Sequence, residues 1–542
     1  MELHPLVAER LARLTPDQRV AATAAPGPVL CIAPAGSGKT TTLIARIAWL
    51  ASSGVSPATI TALTFNRRAA EELRARLLDA LAPLGLPATA VRVRTFHALA
   101  LEILRSSDRA PPSLARREEV LAELEPGIGA ARLAELDTAI SRLKVDLGVR
   151  VADVEADPSA GPVARRFIAY ERALRLAGRL DFDDLVLAAL ECLRDHQAML
   201  DLWRKRCSHL LVDEVQDVDR AQLDLALLLA APANRIFLVG DDDQSIYGWR
   251  LADVRRIFGL VDRLPRLRRV HLVTNFRCPG PVTERASRLV ARNRERFTKA
   301  IRSAPDARGR LVLAPDADDD LERLGRVFDA WPADGSTRAV LARTNDELVP
   351  AAVLAVARDI PFRASQVSLP IDEPALDGVL AQAATLAAAV PATPALVVMA
   401  RLHAEADDLP TRAACRTLLG WLPRFAGVTE LAGAVATTRT RVARLRRDDA
   451  SLVLSTAHGT KGLEFDHVVV LMDADRFPSR RALDDAADPA RALEEERRLA
   501  YVAWTRARRS LALLYDPAAP SQFLLEAFTP DELGLTGHGR RG

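Results

Sequence analysis

Val29-Leu30-Cys31-Ile32, followed by Ala33-Pro34-Ala35-Gly36-Ser37-Gly38-Lys39-Thr40-Thr41, decides the fold class. Four apolar residues of β type run into a turn of small residues, and the turn runs into a helical pattern that lasts to Leu50. Wrapping an anion requires that order. Small side chains let backbone N–H groups close around phosphate oxygens, and the N-terminus of the following helix faces the negative charge. Lys39 is placed to reach β and γ phosphates and Thr40 to hold Mg²⁺, with Ala35, Gly36, Ser37, Gly38 and Thr41 completing the cradle. Ala33 stands where the general pattern has glycine.

Outward from this turn, apolar runs that end in polar or glycine-rich turns recur. They are Ile60 to Thr64, His209 to Val212, Ile236 to Val239, His271 to Thr274, Val340 to Ala342, Leu452 to Thr456 and Val468 to Met472. Most are followed by helical patterns, as strands of a helix-covered parallel sheet would be, so the expected class is α/β. Residues 101–178 and 366–447 are alanine-rich, helical in period and almost free of strand signal. They read as two helical insertions, one in each α/β half. The tail from 531 to 542, with Gly534, Gly537, Gly539 and Gly542, reads as flexible.

At 542 residues the chain has room for about three to four domains. Its 49% hydrophobic and 27% charged residues exclude a largely disordered or fibrous chain. A net charge of +3 announces no nucleic-acid binder, so any basic groove has to be local. The basic residues are nearly all arginine. Only Lys39, Lys144, Lys205, Lys299 and Lys461 are lysines, which makes each of those positions worth inspecting. Cys31, Cys192, Cys207, Cys278 and Cys415 are odd in number and widely spaced, against a disulfide framework, a zinc ribbon or an iron–sulfur cluster. A reducing cytoplasm fits them. The opening Met1 to Leu14 carries acids and arginines where a secretory signal needs an apolar core. Leu380 to Ala400 is uncharged over about the length of a membrane span, but Gln382, Pro391 and Pro394 interrupt it, so it reads as a buried helix plus a turn. No membrane association is expected.

Two further stretches carry chemistry. His209-Leu210-Leu211-Val212-Asp213-Glu214-Val215-Gln216-Asp217 is a buried strand discharging acids at its C-terminal end, where ligands sit in open α/β sheets. Asp213 is placed to bind Mg²⁺ and Glu214 to position and deprotonate an attacking water. Val239-Gly240-Asp241-Asp242-Asp243-Gln244-Ser245-Ile246-Tyr247-Gly248-Trp249-Arg250 places two aromatics and an arginine after a second acidic turn. Aromatic faces stack on any base at roughly 1 to 3 kcal/mol each, whatever the base sequence.

This last stretch resembles the UvrD/Rep/PcrA-type DNA helicases of superfamily 1A, and the likeness extends in order from about Leu14 to Leu514. Leu14-Thr15-Pro16-Asp17-Gln18 resembles the family's adenine-reading segment. Thr64 to Ala70 and Thr95-Phe96-His97 resemble its single-strand contacts, although the family usually has asparagine then lysine where Arg67 and Arg68 stand. Asn275-Phe276-Arg277, Ser455 to Phe465 and Glu494 to Arg508 resemble its later motifs. Leu180-Asp181-Phe182-Asp183-Asp184-Leu185 matches another signature, whose acids point to a structural or Mg²⁺-proximal role.

The resemblance implies two RecA-like, parallel-sheet P-loop domains, each with a helical insertion. The first core would be 1–100 and 179–275, with insertion 101–178. The second would be 276–365 and 448–530, with a shortened insertion 366–447. ATP would lie between the cores. Gln18 would read adenine, Phe276 would stack on it and Glu464 would bind the ribose. Gln244 would sense the γ-phosphate, and Arg277 and Arg506 would act as arginine fingers from the second core. Phe65, Asn66, Arg67, Thr95, His97, Tyr247, Trp249, Arg250 and His458 would contact DNA.

The implied activity is an ATP-dependent 3′-to-5′ helicase or single-strand DNA translocase of repair or replication. Single-stranded DNA and single/double-strand junctions would be its partners. The second insertion lacks a Gly-Ile-Gly-type hairpin; Gly127-Ile128-Gly129 lies in the first. A translocase or motor subunit that remodels protein–DNA complexes, and needs a protein partner to unwind, is therefore the alternative. An ATP-gated binding module without processive movement is the third reading.

Overall fold

The computed structural model describes residues 3–156, 160–248, 251–365, 367–390 and 393–535. Its internal contacts divide the chain into Met1–Arg277 with Asn293–Asp306, and Cys278–Arg292 with Ala307–Gly542.

The first unit is built on β1 (Val29–Ile32), β2 (Ile60–Thr64), β3 (Arg92–Thr95), β4 (His209–Val212), β5 (Ile236–Gly240) and β6 (Arg268–His271), all parallel, in the order β3-β2-β4-β5-β1-β6. Leu30 and Ile32 of β1, Leu210 and Val212 of β4, and Ile236 and Leu238 of β5 enter one helix-covered core. Val29 and Cys31, Leu211, and Phe237 and Val239 enter the core on the opposite face. A sheet covered on both faces leaves its central strands no polar side, which is why they read as unbroken apolar runs. Because the strands are parallel, their C-terminal ends lie along one edge. That edge carries the turns after β1, β2, β4 and β5 in which the sequence concentrates its chemistry.

The expected strand His271 to Thr274 is displaced. β6 ends at His271, and a separate two-residue strand, β7 (Thr274–Asn275), pairs with β8 (Arg302–Ser303). β6 is the sheet's edge and exposes Arg268 and Arg269, so charge masked it in the sequence. β3, the opposite edge, was hidden in the same way by Arg92 and Arg94.

The second unit holds β9 (Arg310–Pro315), β10 (Arg338–Ala342), β11 (Phe362–Arg363), β12 (Leu452–Thr456), β13 (Phe465–Leu471) and β14 (Ala507–Tyr515), again parallel, in the order β11-β12-β10-β13-β14-β9. Two parallel-sheet α/β units agree with the expected class.

The helical stretches differ in how they pack. Between the bridge of Leu114 with Leu180, the first has its own small core, including Leu121, Leu136, Ile140, Phe167 and Tyr170. The helix Phe96–Arg105, partly inside the expected insertion, instead packs under the first sheet through Leu99, Ile103 and Leu104. The second stretch forms the helices Ala375–Ala389, Ala395–Glu405, Leu409–Trp421 and Val428–Leu445. Their Leu376, Met399, Leu418 and Leu431 share one continuous core with Val340, Leu454 and Val469 of the sheet. No described helix is long and apolar enough to cross a membrane. The tail begins later than expected: Leu533 is buried, its carbonyl accepts from the Tyr515 hydroxyl at 3.2 Å, and Glu532 pairs with Arg285 at 2.5 Å. Residues 536–542 lie outside the described residues.

Candidate functional site

The turn after β1 is left-handed twice, at Gly36 (φ 68°) and Gly38 (φ 79°), and the helix Lys39–Ser52 starts from Gly38. Glycine at 36 also answers a close approach, because a Cβ there would lie 2.5 Å from Asn275 Oδ1. Ser37 Oγ is buried with no hydrogen-bond partner among the described residues, so the turn holds an unanswered polar atom. Lys39 Nζ donates to Glu214 Oε2 at 3.1 Å. Burial works against its charge, but Glu214, Asp241 and Asp213 outweigh it and hold the ammonium pKa above its ordinary value.

Glu214 sits at φ 51°, a left-handed conformation that a non-glycine residue keeps only where its surroundings impose it. Its backbone N–H donates to Asp213 Oδ1 at 3.0 Å. Burial first, and the neighbouring Glu214 second, push the Asp213 carboxyl up to about 7. Two carboxyls, Asp213 buried and Glu214 half-buried, thus lie beside one lysine.

A residue without an expected role links this turn to the next. Gln216 Nε2 donates to Glu214 Oε2 at 2.5 Å, and Gln216 Oε1 accepts from the Asp241 N–H at 3.0 Å. Gly240 makes room for it, since a Cβ there would lie 2.3 Å from Gln216 Oε1. Gln244 Nε2 in turn donates to Asp241 Oδ2 at 2.6 Å. Lys39, Glu214, Gln244 and, across the loop, Asp213 are thus brought together, and Gln216 is the bridge that sequence reading missed. Its only signal was a position two residues beyond Glu214.

Gln18 lies beside the same loop. Its Nε2 donates to the Ser37 carbonyl at 2.9 Å and its Oε1 accepts from the Thr15 N–H at 3.2 Å. Each end of a carboxamide has a second hydrogen-bonding capacity, so one donor and one acceptor direction remain for a base. Gln18 lines a cavity of about 580 Å³ together with Leu6, Arg10, Gly38, Thr41 and Phe276. Phe276 is 48% exposed, an unusual state for a phenyl ring, and its N–H donates to the Gly36 carbonyl at 2.8 Å. Phe276 and Arg277 were expected in the second core. Their contacts assign them to the first unit, because β7 just before them pairs with β8 and lies against the phosphate turn. Thr40 is half-buried on the first turn of the helix Lys39–Ser52.

Among residues expected to touch DNA, Phe65 stacks on Tyr247 with ring centroids 5.3 Å apart and planes within 13°. His97 stacks on Phe182 at 3.8 Å and 17°. Burial lowers the His97 pKa to about 4 against the pull of Asp183. Asn66 Oδ1 caps a helix through the Ala69 N–H at 2.9 Å, and Thr95 Oγ1 caps another through the Ala98 N–H at 3.2 Å. These two side-chain oxygens are helix caps, a use that Asn and Thr directly before a helix commonly serve. Arg67 is exposed on the first turn that Asn66 caps. Trp249 and Arg250 lie outside the described residues.

The Leu180 to Leu185 acids are structural. Arg117 Nη2 donates to Asp181 and Asp183, each at 2.7 Å, and Lys144 Nζ lies 3.0 Å from Asp181 and 2.7 Å from Asp184.

In the second unit, Arg506 is 1% exposed, with Nε on the Val502 carbonyl at 2.8 Å and Nη1 on the Leu463 carbonyl at 3.1 Å. Glu464 pairs with Arg508. His458 is half-buried, and burial lowers its pKa to about 4, aided by Arg343 and Lys461.

Residues 14–264 match the UvrD/REP helicase N-terminal domain, and residues 435–517 match the UvrD-like helicase C-terminal domain. The chain is 32% identical to ATP-dependent DNA helicase UvrD1 of Mycobacterium tuberculosis over 65% of its own length and 49% of that protein. It is 28% identical to DNA helicase II of Escherichia coli over 93% of its length and 84% of that protein, and 32% identical to ATP-dependent DNA helicase PcrA of Staphylococcus epidermidis over 53% and 41%. The chain therefore spans about half the length of several relatives it matches. A glycine turn at the end of β1, an acid pair at the end of β4 and an exposed ring lining a cavity of about 580 Å³, in a chain matched by both of these domain families, lead to one assignment: the chain belongs to the UvrD/Rep/PcrA-type helicase family.

Proposed function

We propose that this chain is an ATP-driven motor on single-stranded DNA, moving 3′ to 5′ and opening duplexes in DNA repair or replication. The observation that carries the reading is the contact of Lys39 with Glu214, beside Asp213, over a glycine turn that holds the unanswered Ser37 hydroxyl. An ammonium held charged by neighbouring acids against its burial is suited to meeting phosphate oxygens. Ala35, Gly36, Ser37, Gly38 and Thr41 cradle the triphosphate, Gln18 orients the base and Phe276 stacks on it.

Thr40 and Asp213 fit Mg²⁺, because two protein oxygens suit an ion that keeps waters and takes its other ligands from phosphates. Bound there, the ion supplies charge neutralisation. Glu214 orients and deprotonates the attacking water, Gln244 contacts the γ-phosphate and Arg277 stabilises the charge that develops on it. Arg506 as the second finger, Glu464 as the ribose contact and His458 as a strand contact rest on family membership. The Phe65–Tyr247 stack, with His97, Thr95, Asn66 and Arg67, lies on the sheet edge that carries the nucleotide turns, and it offers bases a stacking platform.

Turnover of ATP with and without single-stranded DNA tests the reading. Lys39→Ala is expected to lower turnover by at least the order of 10²-fold. Glu214→Gln should retain binding of a fluorescent ATP analogue and lose turnover. Wild-type turnover in either variant would remove that residue from the mechanism. The short second stretch of helices, packed into its own sheet's core, supports a second reading in which a protein partner enables unwinding. Duplexes with a 3′ or a 5′ tail separate the two: unwinding from the 3′ tail by the chain alone supports the helicase, and stimulated turnover without unwinding supports the partner-dependent translocase.

A further inference from the structure

Between its two stretches in the second unit, the chain returns to the first for Asn293–Asp306. This strap is tied down twice. Arg302 and Ser303 pair with Thr274 and Asn275, directly before Phe276 and Arg277. Lys299 enters the acidic turn after β5. Its Nζ lies 2.7 Å from Asp241 Oδ1, 2.5 Å from Asp242 Oδ1 and 2.9 Å from Asp243 Oδ2, and its side chain is wholly buried. Arg296 binds Asp243 through two bonds, at 3.0 and 2.8 Å, and the Phe297 N–H donates to Asp242 Oδ2 at 2.8 Å.

Three successive buried carboxylates repel one another and need cations within contact distance. An ammonium sends three donors from a single atom to three acceptors, whereas a guanidinium spreads its donors over a wider planar fork. That geometry accounts for one of only five lysines in a chain that otherwise uses arginine. The cage reaches the hydrolysis turn through Asp241. One of its oxygens takes Lys299, the other takes the Gln244 amide, and its N–H donates to Gln216, which in turn holds Glu214 beside Lys39.

We propose that Lys299 is a positioning residue for ATP hydrolysis: it fixes Asp241 so that this carboxylate aims the Gln244 amide and, through Gln216, the Glu214 carboxylate. The inference rests on the reading of Gln244 and Glu214 given above. Lys299 touches no substrate, so it acts on the hydrolysis step and leaves nucleotide affinity in place.

The test is a double-mutant cycle on the full chain, reading kcat and KM of DNA-stimulated ATP turnover together with thermal unfolding. Lys299→Met is expected to lower kcat by about 10²-fold, as small misplacements of catalytic groups do, with KM for ATP changed less than about 3-fold. Lys299→Met added to Gln244→Ala should lower kcat little beyond Gln244→Ala alone, because both act through one amide. Losses that multiply, an unchanged kcat, or a rise in KM that accounts for the loss would overturn the inference. Where Lys299→Met does not fold, Lys299→Met with Asp242→Asn keeps the cage's net charge and takes its place in the cycle. Failure of both to fold makes Lys299 a stability residue and also overturns the inference. A wild-type chain without ATP turnover sinks the motor reading and this inference together; normal turnover with multiplicative losses sinks this inference alone.

Discussion

Gly240 shows how one missing side chain shapes the site. A methyl group there would meet Gln216 Oε1 at 2.3 Å and Val215 Cγ1 at 2.9 Å, so Gly240→Ala has to push Gln216 away from Glu214 and Asp241. Overpacking of this kind costs about 1 to 3 kcal/mol, measurable by urea unfolding, and turnover should fall with it. Full turnover in Gly240→Ala would mean that the Gln216 bridge is dispensable. His97 and His458 are held near 4 by burial, whereas an unfolded imidazole titrates near 6.5. Between those values the unfolded chain binds protons that the folded chain does not, so stability falls as pH drops from about 6.5 towards 4. The apparent Tm should fall across that window, and His97→Gln with His458→Gln should flatten the fall; an unaltered slope would assign it to other groups. Lys39, Asp213 and Glu214 were legible as candidates because each follows an apolar strand, at its C-terminal turn. Gln216 was not, since its partner Gly240 lies on another strand.

At the scale of elements, the first helical stretch is fastened to the α/β unit by charge. Arg117 from one of its helices serves Asp181 and Asp183, Lys144 serves Glu171, Asp181 and Asp184, and the Tyr170 hydroxyl donates to Asp181 at 2.8 Å. Burial opposes ionisation of Asp181, but Lys144 and Arg117 outweigh it and hold its carboxyl below the usual range, while burial pushes Asp184 up to about 6. Removing one partner of such a cage leaves buried charge unpaired. Arg117→Leu is therefore expected to cost about 3 to 5 kcal/mol by urea titration, with part of the loss recovered when Asp181→Asn is added. A cost below about 1 kcal/mol would mean that water screens the cage. The acids of Leu180 to Leu185 looked equally suited to a cation in the sequence, because their partners Arg117 and Lys144 lie tens of residues away in the chain. Strands divided in the same way. The central β1, β4 and β5 read clearly, whereas β3 and β6 lie at sheet edges and carry arginines that break the apolar signal.

At the scale of the whole molecule, the two helical stretches predict opposite responses to excision. Removing 115–179 takes away a separate core and, of the two cores of the first sheet, only Val145. Removing 366–447 strips Leu376, Met399, Leu418 and Leu431 from the core that also holds Val340 and Leu454, at about 1.5 to 3 kcal/mol for each exposed side chain. The first deletion should retain a cooperative urea transition in circular dichroism and the second should lose one for its unit; two equal outcomes would contradict the difference in packing. The sequence alone determined the α/β class, the glycine turn after β1, the acid pair after β4, the family likeness and the helical nature of both inserted stretches. Each of these is written in neighbouring residues, through periodicity of 2 or 3.6 and through side chains joined by one turn. Tertiary structure alone decided that Gln216 bridges two strand ends, that the Leu180 to Leu185 acids are caged by Arg117 and Lys144, and that Lys299 returns to the first unit. It also decided that the second helical stretch shares its sheet's core. These are meetings of residues far apart in the chain, and pairing across such distances is set by packing and burial, which local pattern does not encode.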